Sequence, residues 1–141
     1  MKKLFKSAIS FVFAFLFIFA LASCGAADDT KAWESAIYKT DTELGSGAKT
    51  LILQVKVIEE SVTLTVKTDK NTVGEALLEQ GIIEGENGPY GLYVKVVNGI
   101  TADYDVNKRY WAFYINGELA LTGADGTEIT EGEIYQFIYA K

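Results

Sequence analysis

Tyr110-Trp111-Ala112-Phe113-Tyr114-Ile115, running directly into Asn116-Gly117, is the stretch on which the fold turns. Four of its first six residues are aromatic, a composition that suits a pleated strand. The Asn-Gly that follows is a strong hairpin signal, because a tight two-residue turn needs φ > 0 at both central positions. Side chains alternate across a strand, so Trp111, Phe113 and Ile115 share one face and Tyr110, Ala112 and Tyr114 the other. The first face predicts core. The second carries two tyrosine hydroxyls that need water or a partner.

Working towards the N-terminus, Gly91–Val97 predicts a strand with Leu92, Val94 and Val96 on one face and Tyr93, Lys95 and Val97 on the other, closed by Asn98-Gly99. Thr101–Lys108 reads as a polar excursion holding Asp103, Tyr104 and Asp105, and Glu84–Pro89 reads as a loop from its turn residues. Before that loop comes a helix: Thr72 and Glu75 have the spacing of a capping box, Val73, Ala76 and Leu77 form an apolar stripe, and Gly81 stands where a left-handed cap belongs. Leu51–Ile58 and Val62–Lys67 alternate as two strands around a polar Glu59-Glu60-Ser61 break. Beyond the central stretch, a short return strand (Glu118–Leu121) and a last strand (Ile134–Tyr139) are expected. The order hairpin, helix, further strands predicts an α+β fold with one helix packed on one face of a mixed sheet. If the last strand lies beside the first it must run parallel to it, which is the β-grasp-like arrangement.

The first 23 residues read differently. Lys2, Lys3 and Lys6 precede an almost unbroken apolar run from Ala8 to Ala22, and Leu21-Ala22-Ser23-Cys24 closes it. A basic start, an apolar run of about 15 residues and a small-residue end make a secretory signal. The run is short of the roughly 20 residues that a membrane span needs. The Leu-Ala-Ser-Cys end resembles the bacterial lipobox, which implies cleavage before Cys24 and lipid attachment at Cys24. Cys24 is the sole cysteine, so no intrachain disulfide can form. The expected organisation is a signal peptide (1–23), a lipidated cysteine with a flexible tether (24–48) and one domain (49–141). Within the tether, Trp33, Ala36 and Ile37 leave two readings open: stray apolar residues in a mobile linker, or a short helical turn docked on the domain.

Charge and residue types narrow the function. The chain carries 13 basic and 19 acidic residues, a formal charge of -6; losing residues 1–23 removes three lysines and no acid, leaving 10 against 19, or -9. Such acidity argues against nucleic-acid binding and against electrostatic adhesion to anionic lipid, so membrane attachment is expected through the N-terminal lipid. There is no histidine, which excludes His-based triads and metal sites. Asp103 with Asp105, Asp125 with Glu128, and Glu131 with Glu133 are acid pairs without calcium-loop spacing, and they read as solvated turn carboxylates. No enzymatic constellation, metal site or required cofactor is expected.

Aromatic residues are the surplus. Tyr93, Tyr110 and Tyr114 lie opposite the expected core faces, and Tyr104 lies just upstream. They read either as tyrosines half-covering a second sheet face or as a platform for a flat, partly apolar ligand. Gly91–Ile100, Tyr110–Glu118, Gly123 and Glu131–Tyr135, taken in order, resemble the transcobalamin-like C-terminal domain family, over roughly Lys49 to Lys141. That family is of largely unknown function and occurs in many bacterial lipoproteins. Together with the lipobox, the expectation is an extracytoplasmic, membrane-anchored lipoprotein with a small binding module, a corrinoid or another small ligand being the candidate ligand. The alternative is an envelope-protein contact or adhesive module with no small ligand. The helical partner domain of the animal cobalamin carriers is absent from this chain.

Overall fold

The computed structural model describes residues 29–141; the signal reading for 1–23, the lipidation reading for Cys24 and the first residues of the expected tether lie outside the described residues. A 3-10 helix (Asp29–Ser35) leads into β1 (Thr42–Gly45), β2 (Lys49–Val57), β3 (Glu60–Thr68), α1 (Val73–Glu79), β4 (Ile83–Gly88), β5 (Gly91–Val97) and β6 (Ile100–Thr101). The short helix α2 (Tyr104–Asn107), β7 (Tyr110–Ile115), β8 (Glu118–Leu119), a 3-10 turn (Ala124–Gly126) and β9 (Ile134–Ala140) complete the order. Six strands form the main sheet in the order β1-β3-β2-β9-β7-β8, and β4-β5-β6 form a second sheet.

The expected α+β class holds, and β9 runs parallel beside β2 while β2 and β3 form an antiparallel hairpin. One face of the main sheet is the core wall. Leu51, Leu53, Val55, Val57, Val62, Leu64 and Val66 reach it from the hairpin, and Trp111, Phe113, Tyr135 and Phe137 from β7 and β9. Each fully buried Leu, Ile or Val of this kind contributes about 1.5–3 kcal/mol. Phe113 stacks on Tyr135 with 6.2 Å between centroids and meets Phe137 at 5.0 Å. Trp111 donates its indole N–H to the Ile100 carbonyl at 3.1 Å, which ties the main sheet to the second one. Val73, Ala76, Leu77, Ile83, Val97 and Ile100 close the core from above, so α1 and the small sheet cover the same face together.

The Thr72 cap is in place: its hydroxyl accepts from the Glu75 N–H at 3.2 Å. Asn116 and Gly117 both have positive φ, 51° and 82°, as the hairpin reading requires.

Three expectations need correction. Glu84–Pro89 is not a loop, because residues up to Gly88 form β4 and pair with β5. Its outer residues are exposed, so ladder hydrogen bonds rather than an apolar face hold them, and no alternation marks the strand. Next, Gly91–Val97 does not join the main sheet; it is the middle of the second. Finally, residues 29–45 depart from the expected tether. The 3-10 helix packs Ala32 and Trp33 against the core, Ala36 is buried, and β1 runs parallel to β3. Ile37, in contrast, stays 60% exposed.

Two side chains hold this N-terminal strap. Asn98, fully buried, accepts from the Tyr38 N–H at 2.8 Å and donates to the Tyr38 carbonyl at 2.9 Å. Arg109 grips both carboxylate oxygens of Asp29, with Nε at 3.0 Å from Oδ1 and Nη2 on Oδ2. The hydrogen bond from Arg109, opposed by partial burial and aided by its charge, holds the Asp29 carboxyl below its ordinary 3.8. A depressed folded pKa means the stabilisation is complete above the unfolded value and is lost as pH falls through the folded one. The Trp33 indole NMR signal should therefore keep its docked position from neutral pH down to the ordinary value, and leave it as the pH drops further. Asp29→Asn should abolish that acid transition, with the Trp111 signal unmoved in both proteins. A Trp33 transition that survives Asp29→Asn would place its cause elsewhere.

Candidate functional site

The four tyrosines singled out by the sequence do not share one surface. Tyr110 and Tyr114 lie on the uncovered face of the main sheet, across which Gln136 donates to Gln54 at 2.9 Å. Tyr93 belongs to the second sheet and Tyr104 opens α2, with the Lys108 ammonium 5.3 Å from its ring centroid. A continuous platform of all four is thus absent. Alternation along a strand says which side chains point away from its own core face; it does not say which strands share a sheet.

Of the four, Tyr93 lines a hollow. The tip of the β4–β5 hairpin, residues Gly88 to Tyr93, lines an open hollow of about 290 Å³. Pro89 and Tyr90 form the connection, and Pro presets the φ that the first inner turn position requires. Tyr90 is fully exposed and Tyr93 is 43% exposed. Inside the hairpin the register shifts between Glu84 and Gly85, a bulge that twists the strand pair. A Cβ at Gly85 would sit 2.1 Å from the Tyr93 carbonyl oxygen, so only glycine fits beneath that residue. Lys95, next on the Tyr93 face, lies 5.8 Å from the Tyr93 ring centroid and pairs with Glu86 at 3.3 Å and Asp103 at 3.4 Å. Its pKa is raised, first by the Glu86 hydrogen bond, against desolvation, and then by the Asp103 charge.

A second loop braces the tip. Asp125, in the 3-10 turn, accepts from the Leu92 N–H at 3.1 Å. That turn lies directly on α1, where a Cβ at Gly74 would meet the Asp125 Cα and N at 2.7 Å. Thr127 donates to the Gly123 carbonyl at 2.9 Å, and its own carbonyl accepts from the Val73 N–H at 2.9 Å. The exposed tip therefore stands on a fixed base. Leu121, just before this turn, is fully exposed.

The acid pairs have structural partners. Asp103 caps α2 through the Asp105 N–H at 3.1 Å, Glu131 accepts from the Thr50 N–H at 3.3 Å, and Glu133 accepts from the Tyr135 hydroxyl at 2.9 Å. Among the described residues no three His, Cys, Asp or Glu side chains come together to hold a metal ion. A larger cleft, about 500 Å³, lies between the N-terminal 3-10 helix and β6, α2 and β9, lined by Asp29, Lys31, Asn107 and Tyr139 among others. The sequence reading misses Asn98 and Arg109, and takes Asp125 only for a solvated turn carboxylate. Asn98 was legible only as a turn residue, and the partners of Arg109 and Asp125 lie 80 and 33 residues away.

Comparison with known proteins gives fold relatives. A crystal structure from Ruminococcus gnavus ATCC 29149, described as a candidate metal-binding protein, superimposes with a TM-score of 0.62 at 27% identity, covering 67% of this chain and 98% of that one. Haptocorrin, solved in complex with Cbi, matches with a TM-score of 0.50 at 21% identity, over 65% of this chain and 25% of haptocorrin. No curated protein matches the sequence. The family model described as "Domain of unknown function (DUF4430)" matches residues 70–140, from the approach to α1 through β9. Those 71 positions are half of the 141, and the chain belongs to that family.

Proposed function

We propose that this protein is an extracytoplasmic, lipid-anchored binding module rather than an enzyme, and that the β4–β5 tip is its ligand-contact edge. The observation that carries the ligand reading is a solvent-exposed Tyr90 beside a hollow lined by Tyr93, on a turn braced by Asp125. Exposed aromatic rings on a fixed base bind flat, partly apolar molecules with little ordering cost. Corrinoids are the first class to test, because the fold is shared with haptocorrin, solved with Cbi. The metal reading attached to the Ruminococcus gnavus neighbour finds no cluster of three donor side chains among the described residues. The anchor rests on Leu21-Ala22-Ser23-Cys24 after the apolar run, and Cys24 is its attachment point. Among the described residues no helix is long and apolar enough to cross a membrane.

Titration of soluble residues 25–141 with cobinamide and with cobalamin, followed by absorbance, tests the ligand reading. One-sided contact leaves much of the ligand wet, so affinity in the micromolar range, about -8 kcal/mol, is expected. Tyr90→Ala with Tyr93→Ala should weaken binding at least tenfold, about 1.4 kcal/mol, while the melting curve stays in place. Absence of binding at millimolar ligand to a folded domain would contradict this reading. A second reading, contact with an envelope protein, is favoured by one feature: Leu119, 65% exposed, faces Tyr114 across β7 and β8 at the open edge of the main sheet.

A further inference from the structure

The point at which the chain leaves the folded body orients the whole domain. Asp29, locked by Arg109, is five residues from Cys24, and five extended residues reach at most about 18 Å. Asp29 lines one hollow together with Ile58 and Glu59 of the β2–β3 turn, and the larger cleft together with Asn107 of α2. The β2–β3 turn, α2 and the C-terminal end of β9 therefore gather at the attachment end. Hairpin turn 89–90 lies at the other end: Asp125 holds Leu92, and the following chain bonds Asn71, which contacts Lys49 at the start of β2. The nine residues of β2 separate the two ends by about 25–30 Å.

The attachment end carries unsatisfied apolar surface. Val106 is 80% exposed, Tyr104 52% and Ile58 47%. Ile58 also has φ 55°, a left-handed conformation that the other two-residue turns give to Asn98 and Asn116. A β-branched residue there is disfavoured, and such local strain is retained where the exposed side chain has a use. Resting on the reading of Cys24 as acylated, we propose that Ile58, Tyr104 and Val106 form a surface that lies on the lipid bilayer interface. It holds the β4–β5 tip outward, away from the membrane. Glu59, Glu60, Asp103 and Asp105 flank these side chains, but Lys56 stands beside Ile58 and Lys108 lies against the Tyr104 ring, so neither sign of charge dominates and the contact is made by apolar burial and by the interfacial preference of the Tyr104 ring.

The test uses the mature lipoprotein carrying Val106→Cys or Tyr90→Cys, labelled with an environment-sensitive dye and reconstituted into phosphatidylcholine vesicles; acylation leaves the introduced thiol as the free one. Lipids brominated near the carbonyl end of the acyl chains should quench the label at position 106 and leave the label at position 90 bright. Quenching should be lost when a long Gly/Ser insert separates Cys24 from Asp29, because the body is then no longer held at the surface. Vesicle-bound protein with neither label quenched, or with position 90 quenched instead, overturns the orientation. Mutual quenching between labelled copies at position 106 without lipid quenching would assign the surface to self-association and overturn it as well. Protein that fails to float with the vesicles would overturn the anchor reading and this inference with it.

Discussion

Trp111→Ala is expected to destabilise the domain by about 3–5 kcal/mol, out of the roughly 5–15 kcal/mol that a domain of this size holds. The indole is 7% exposed, meets the Tyr139 ring edge-on at 5.4 Å, and donates to the Ile100 carbonyl. Truncation therefore opens a cavity and also removes the indole hydrogen bond to the carbonyl of Ile100, a residue only 1% exposed. Trp111→Phe keeps most of the volume and should show mainly the second cost, about 1 kcal/mol. Tyr114→Phe, on the uncovered face, should change little. Chemical denaturation of the three variants measures this, and a Tyr114→Phe loss exceeding that of Trp111→Ala would mean the core lies on the other side of β7.

Gly85→Ala should cost about 1–3 kcal/mol, which is large for one added methyl group. The new Cβ would meet a backbone oxygen, which cannot swing aside as a side chain can. The bulge must open, the β4–β5 ladder loosen, and the Tyr93 backbone shift. Hydrogen exchange should show accelerated amides in β4 and β5 while β2, β3 and β9 keep their protection. Uniform loss of protection across the molecule would mean that the second sheet unfolds together with the main one.

Where apolar alternation was strong, structure was legible. Val62, Leu64 and Val66 point inward as their spacing says, and the Thr72 cap and the Asn116-Gly117 turn stand where local chemistry puts them. β4 escaped because Glu84, Gly85, Glu86, Asn87 and Gly88 are all exposed, and pairing alone, a non-local event, makes them a strand. The N-terminal strap escaped for a related reason. Its anchors, Asn98 and Arg109, are polar residues whose partners are 60 and 80 residues distant, and no period encodes such a meeting.

The candidate site shows the same limit in sharper form. The aromatic surplus was visible, and Tyr93 does line a hollow. Tyr90 falls between the stretch read as loop (Glu84–Pro89) and the strand read from Gly91, so no strand face is there to assign it to. Tyr110 and Tyr114 were grouped with Tyr93 because each opposes a core face of its own strand, yet the strands belong to different sheets. Sheet membership is decided by tertiary pairing, so the grouping of exposed rings waits on the fold.

The central claim is that the β4–β5 tip, and not the open sheet face, meets the ligand. Two-dimensional amide NMR of isotope-labelled residues 25–141 during titration with cobinamide addresses it directly. Saturable shifts should concentrate at residues 88–93 and 121–126, with the amides of Tyr110 and Tyr114 left in place. Shifts confined to β7 and β8 would contradict the account and assign contact to the uncovered face of the main sheet.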